Sequence, residues 1–214
     1  EEQLPQILNN SITVDASNAG VILDGQQKVQ SGLIVSSAYN KVMGIQFVNF
    51  PMDGILVDFP SQYNQIGGDH SIGEGPSGQG NVFSNNFNGI RVLYSRYNKI
   101  LGNFIGTNAQ GTQAVGFNPI GISLNNFATY NTIGGALEGE KNIISNNDRG
   151  VDIASNSAMY NRVAGNYIGT DVTGTRAIPN TSWGVLIEVG GRNNIVGGTT
   201  PSERNIISGN VNGV

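Results

Sequence analysis

Five of the seven tyrosines in this chain occupy one position of a recurring phrase, directly before an asparagine. They are Tyr39, Tyr63, Tyr97, Tyr130 and Tyr160, followed in the last copy by Arg192. The residues directly after the asparagines are Lys41, Gln65, Lys99, Thr132, Arg162 and Asn194. Regularly spaced aromatic rings can contact sugars face to face, while lysine and arginine attract carboxylates or sulfates. We therefore predict a ligand-binding stripe for a polysaccharide at the tyrosines, Lys99 and Arg162. The alternative is that the rings stack on one another to cover an apolar edge.

Charged residues also stand in a second recurring phrase, which reads glycine, apolar, any, apolar. Its variable residue is Leu56, Arg91, Ser123, Asp152 and Leu186 in successive copies. On a strand this residue points away from its apolar neighbours, so Arg91 and Asp152 would lie roughly 10 Å apart, two strands from each other. Cleavage of an acidic glycan needs groups that neutralise a carboxylate, together with a base. Because two charges are too few, we expect solvated outer positions and predict no catalytic residue, with Arg91 and Asp152 as the candidates if one exists.

The sequence pattern indicates neither a metal site nor a catalytic histidine. The single histidine, His70, follows Asp69 in a glycine-rich loop, where a surface role is expected. The loop that begins at Thr170 and Asp171 is rich in oxygen atoms, as calcium loops are, but it does not supply several carboxylates. We therefore predict no metal site and no cofactor, and we expect Asp171 to close a local turn.

The phrases belong to longer units, which must be the elements that position these side chains. The glycine-led phrase returns at Gly89, Gly121, Gly150 and Gly184, at intervals of 32, 29 and 34 residues. Because longer and shorter units alternate, the true repeat is a pair of units that together span about 63 residues. Each unit holds three short runs in which apolar residues alternate with others, as in half-buried strands. No window keeps the apolar spacing of a helix. The pattern predicts an all-β solenoid, a right-handed parallel β-helix with three short strands per coil and about six to eight coils.

Asparagines recur in each coil at two places. One set is Asn40, Asn64, Asn98, Asn131 and Asn161, continued by Asn193, and the other is Asn81, Asn103, Asn142, Asn166 and Asn205. An inward asparagine at a bend can bond to the amide of the equivalent residue in the next coil. We expect ladders that run along the solenoid axis.

Composition limits the class of protein. The chain has 31 glycines and 29 asparagines against 26 charged residues, and its net charge of −4 argues against a dedicated nucleic-acid partner. The sequence contains no apolar run of about 18 residues, the length that would predict a membrane-spanning helix, so we expect no membrane insertion. Cysteine is absent, which excludes disulfides and thiolate sites. We treat residues 1–214 as one domain, with irregular first coils over 1–30 and regular coils over 31–214.

The phrases Asn-any-Ile, Ile-Gly-Gly and Asn-Tyr-Ile-Gly-Thr-Asp resemble the right-handed parallel β-helix repeat proteins of the pectate-lyase-like superfamily, especially their bacterial surface and secreted members. The resemblance covers roughly residues 30–214. It implies a fold that is shared by polysaccharide lyases, epimerases and hydrolases and by proteins without known activity. No catalytic residue is carried over, because the acidic cluster of the enzymes has no match here.

These observations favour a non-catalytic, extracellular or cell-surface β-helix scaffold, associated with a surface or a filament and contacting polysaccharide. The alternatives are a polysaccharide lyase, epimerase or hydrolase that acts on an acidic glycan, and a carbohydrate-binding module. Since Gly213 and Val214 begin another unit, we expect the C-terminal end of the solenoid to be open. It would then stack against another chain or continue in a longer parent chain.

Overall fold

A computed structural model describes residues 3–214 as three sheets in which all paired strands are parallel. Sheet B holds β1 (Thr13–Asp15), β4 (Lys41–Met43), β7 (Gln65–Gly67), β10 (Lys99–Leu101), β13 (Thr132–Ile133), β16 (Arg162–Val163) and β19 (Ile195–Val196). Sheet C holds β2 (Val21–Asp24), β5 (Ile45–Val48), β8 (Val82–Ser84), β11 (Phe104–Ile105), β14 (Ile143–Ile144), β17 (Tyr167–Ile168) and β20 (Ile206–Ile207). Sheet A holds β3 (Ser31–Val35), β6 (Asp53–Val57), β9 (Asn88–Leu93), β12 (Asn118–Asn125), β15 (Asn147–Ala154) and β18 (Trp183–Glu188).

Each coil passes through sheets A, B and C in turn, which confirms the expected right-handed parallel β-helix with three strands per coil. Neighbours in a sheet are therefore one coil apart in sequence, as in the pairing of Ile90 with Ile55 and Ile122. Alternation along each strand places these isoleucines inside, where all three are fully buried. Besides these strands, the described part of the chain forms two single-turn 3-10 helices, Glu138–Glu140 and Pro201–Glu203.

The coil-opening glycines are required by close approach of the backbones of neighbouring coils. A Cβ atom on Gly121 would lie 2.5 Å from the carbonyl oxygen of Gly150, and one on Gly89 would lie 2.7 Å from that of Gly121. A side chain there would force the coils apart, because core and backbone contacts have no spare volume. Close packing of consecutive coils therefore explains why glycine opens each unit.

Three asparagine ladders run along the axis, one more than the sequence indicated. The two predicted sets stack as expected, apart from the last member of the first set, and the additional ladder consists of Asn86, Asn118, Asn147, Asn180 and Asn210. In each ladder the backbone N–H of one asparagine donates to the side-chain oxygen of the next, as Asn98 does to Asn131 at 3.0 Å. Because the ladder residues from Asn40 to Asn180 are buried, the ladders satisfy polar groups that water cannot reach.

The two-coil period arises on the outer face of sheet C. There Phe104 and Tyr167, two coils apart, are each contacted by a glycine of a following loop, Gly111 and Gly174 respectively. The intervening coil carries the smaller Ile143 at this position. The longer loops thus cover a column of apolar residues, which they keep largely out of water.

Candidate functional site

The five predicted tyrosines form one continuous row at the turn that leads into sheet B. Each has a left-handed backbone, with φ between 56° and 60°. This conformation costs about 1–2 kcal/mol for a residue with a Cβ atom, so it needs a compensating interaction. The turn directs every ring to the same side of the solenoid, beside the outward residues of sheet B.

Stacking of the rings on one another supplies that interaction. Ring centroids are separated by 5.2 Å for Tyr39 and Tyr63, 5.1 Å for Tyr63 and Tyr97, 5.2 Å for Tyr97 and Tyr130, and 4.9 Å for Tyr130 and Tyr160. Interplanar angles lie between 7° and 21°. The faces of the three inner rings are therefore covered on both sides, although each side chain remains exposed. What the row offers to a ligand is ring edges and hydroxyl groups.

A shallow groove lies between this row and the outward column of sheet B, and we call it the tyrosine groove. It has a volume of about 310 Å³ and is lined by Tyr39, Tyr63 and Tyr97 on one side and by Lys41, Gln65 and Lys99 on the other. Within residues 3–214, neither Lys41 nor Lys99 lies within 4.0 Å of a carboxylate oxygen. Two cations without ion-pair partners thus face a wall of phenol edges.

Towards Arg162, the same surface also carries carboxylates. A second depression of about 180 Å³ extends from Lys99 to Arg162, and its lining includes Glu140 and Glu203. Arg162 Nη2 lies 2.8 Å from Glu203 Oε1. The hydrogen bond from Arg162, helped by the N–H of Thr199, lowers the pKa of Glu203 to about 2. The predicted ligand residue Arg162 is therefore already neutralised, and the partner that does so lies in the following coil.

The last copy of the tyrosine phrase is shifted by one residue from the predicted alignment. Asn161 donates its backbone N–H and its side-chain amide to Asn194, at 2.9 and 3.1 Å, so Asn194 and not Asn193 continues the ladder. Asn193, with φ of 56°, takes the turn position of the tyrosines. Ile195 consequently follows Arg162 in the outward column. Because Asn193 and Asn194 are adjacent, the sequence allows either one to continue the ladder, and strand pairing selects Asn194.

Arg91 is not the solvated residue that we expected. Its Nη2 atom lies 2.7 Å from Oδ2 of Asp53, a fully buried carboxylate that also accepts a hydrogen bond from Asn88 at 2.9 Å. Burial raises the pKa of Asp53, while the charge of Arg91 opposes that shift. Because an unpaired carboxylate in the interior would be costly, Arg91 serves to neutralise Asp53. The pairing escaped sequence reasoning because Asp53 directly precedes a coil-opening glycine and resembles a turn residue.

Asp152 is also buried, contrary to the expectation of a solvated outer position. The register does place Ser123 between Arg91 and Asp152 as predicted, and Ser123 is buried as well. Arg149 Nη1 binds Asp152 Oδ2 at 3.0 Å and Glu188 Oε1 at 2.9 Å. Burial raises the pKa of Asp152 against the effect of Arg149, and its Oδ1 atom has no hydrogen-bond partner among residues 3–214.

His70 and Asp171 are both engaged locally. The His70 ring packs 5.2 Å from that of Phe104, and burial lowers the pKa of the imidazole. Asp171 Oδ1 accepts hydrogen bonds from the hydroxyl and N–H of Thr173 and from the N–H of Thr175, so it closes the turn. Over residues 3–214, no three or more His, Cys, Asp or Glu side chains cluster as metal ligands would. In the same range no helix is long and apolar enough to span a membrane.

A second aromatic row, which sequence reasoning missed, lies beside the tyrosine row. Phe59, Tyr94 and Phe127 are exposed, and the rings of Tyr94 and Phe127 stack at 5.9 Å. Together with Arg96 and Gln62 they line an open depression of about 450 Å³. The available signal was spacing, since Tyr94 and Phe127 each stand three residues before a tyrosine of the first row.

No protein-family model, curated protein or solved structure matches this chain. The parallel sheets establish the solenoid architecture.

Proposed function

We propose that this chain is a non-catalytic β-helix scaffold of the pectate-lyase-like kind, located outside the cell or on its surface, that holds a linear acidic polysaccharide along the tyrosine groove. The observation that carries the proposal is that Lys41 and Lys99, which form no ion pair with any residue of the described range, lie in a groove parallel to the solenoid axis. In a chain with a net charge of −4 these lysines form a local cationic strip. A polymer lying along the axis could contact several coils at once.

The tyrosine row contributes rigidity and polar edges. Since neighbouring rings cover each other's faces, a sugar would meet phenol hydroxyls and ring edges, whose partial positive charge suits an anion. The rings are already fixed by stacking, so a ligand loses little side-chain entropy by binding there. A groove of this kind suits recognition of a repetitive polymer more than the enclosure of a small molecule.

The competing proposal is a polysaccharide lyase, epimerase or hydrolase. It is favoured by Asp152, a buried carboxyl with a raised pKa and an unpartnered Oδ1, as expected of a general acid. Against it, Arg91 and Asp152 are each held in an ion pair with another residue, Asp53 and Arg149. That arrangement suits stability of the outer face of sheet A more than turnover.

The test is retention of the purified chain on immobilised polygalacturonate, alginate and hyaluronan, with dextran as a neutral reference. Lys99→Ala should weaken retention about fivefold, the effect of about 1 kcal/mol for one exposed cation, and added salt should weaken it further. Lys28→Ala changes the net charge equally but lies outside the groove, and it should have no effect. Failure of the wild type to bind any acidic polymer would overturn the binding proposal. Polymer shortening that disappears in Asp152→Asn would establish the enzyme instead.

A further inference from the structure

Cationic and neutral residues alternate along the outward column of sheet B, which begins as the wall of the tyrosine groove and continues into the second depression. Strand pairing places Lys41, Gln65, Lys99, Thr132 and Arg162 side by side in that order, one per coil. Successive cations are therefore two coils apart, roughly 10 Å at the usual distance between paired strands. Between them stand an amide and a hydroxyl, which can hydrogen-bond with sugar hydroxyls but do not neutralise an acid.

This alternation belongs to the architecture of the chain. Lys99 and Arg162 occupy equivalent positions of the two-coil repeat, as do the aromatic residues Phe104 and Tyr167 in the following strands. Every second coil thus presents a cation, whereas the tyrosine wall repeats in every coil from Tyr39 to Tyr160. The groove has two periods, one coil for ring edges and two coils for charge.

We propose that the tyrosine groove selects a linear polysaccharide that carries one acidic group per disaccharide. This inference rests on the proposed function and specifies its ligand. A sugar unit in an extended chain is about as long as one coil is high, so an acid on alternate sugars would meet Lys41 and then Lys99. An acid on every sugar would place a carboxylate beside Gln65, where no cation faces it.

Arg162 sets the limit of the charged strip. Because Glu203 already pairs with Arg162, the third cation of the series does not contribute to ligand binding in the wild type. Glu203→Gln weakens that pair and leaves a side chain of similar size. The variant should therefore bind an alternating polyanion more tightly, with the extra contact two coils beyond Lys99.

The experiment compares hyaluronan, which has one carboxylate per disaccharide, with polygalacturonate, which has one per sugar, at equal carboxylate concentration. The wild type should bind hyaluronan at least about fivefold more tightly, because the polygalacturonate carboxylate beside Gln65 loses water without gaining a cation, at a cost of about 1 kcal/mol or more. Gln65→Lys places a cation in the neutral gap and should reduce or reverse this ratio. Gln113→Lys adds the same charge in an exposed loop after sheet C and should leave it unchanged.

The outcomes separate the two proposals. Equal wild-type affinity for both polymers, raised equally by Gln65→Lys, would overturn the inference about spacing while leaving acidic-polymer binding in place. Absence of binding to both polymers would overturn the proposed function itself. A tighter complex of Glu203→Gln with hyaluronan would support the inference.

Discussion

Truncation of one asparagine in the middle of a ladder should destabilise the chain strongly. In Asn131→Ala, the Oδ1 atom that accepts the backbone N–H and the side-chain amide of Asn98, both at 3.0 Å, is lost. Both residues are buried, so water cannot replace the acceptor. A buried donor without a partner costs about 1–3 kcal/mol, and two such donors give a loss of about 2–6 kcal/mol in the free energy of unfolding.

The matched control removes the same kind of contacts at the last rung of that ladder. Asn194 accepts two hydrogen bonds from Asn161 but is partly exposed, so water can enter when its side chain is removed. Asn194→Ala should therefore cost only about 1–3 kcal/mol, the usual net value of two hydrogen bonds. Urea unfolding followed by circular dichroism measures both, with the denaturant midpoint used if the coils do not unfold together.

A charged replacement tests the direction of the ladder. Asn131→Asp keeps the acceptor for Asn98 but replaces the amide that donates to Asn161 Oδ1 at 3.1 Å and to the Ser95 carbonyl. Burial would raise the pKa of this aspartate above its unfolded value of about 3.9, so the variant should gain stability as the pH falls towards 4. Two results would refute the ladder as a source of stability. One is an equal loss of unfolding free energy in Asn131→Ala and Asn194→Ala, and the other is a stability of Asn131→Asp that does not change with pH.

Three further outcomes are expected. Tyr97→Ala should lower the free energy of unfolding by about 1–3 kcal/mol, because two stacked ring pairs are lost. Tyr97→Gly should lower it by less, because glycine adopts the φ of 58° without strain. The opposite order in thermal unfolding would contradict this account of the turn. Since the pKa of Glu203 is lowered to about 2, its stabilising effect should be full above pH about 4.5 and disappear as the pH falls towards 2, and Glu203→Gln should flatten that part of the stability–pH curve. Gly121→Ala, whose Cβ atom would meet the Gly150 carbonyl oxygen at 2.5 Å, should lower the urea midpoint by an amount equivalent to about 1–3 kcal/mol or more, and an unchanged midpoint would disprove close packing of the coils.

Local pattern was sufficient to predict the fold and much of the candidate site. Alternating apolar residues, returning after each glycine, can bury Ile55, Ile90 and Ile122 together only if the coils stack in register. The same periodicity placed Tyr97 beside Tyr63 and Lys99 beside Gln65, because residues at one position of a coil must become neighbours. The third asparagine ladder was missed although its spacing was available, since Asn86, Asn118 and Asn147 each stand three residues before a coil-opening glycine.

The sequence by itself determined which residues share a column, whereas the tertiary structure decided what each side chain contacts. A column follows from the period of the repeat, since one coil is one step along the axis. The pairing of Arg162 with Glu203, of Arg91 with Asp53 and of Asp152 with Arg149 depends on loop paths and rotamers, which have no such period. Face-to-face stacking of the tyrosines likewise depends on a left-handed turn, which the residue type disfavours and the packing of neighbouring rings stabilises.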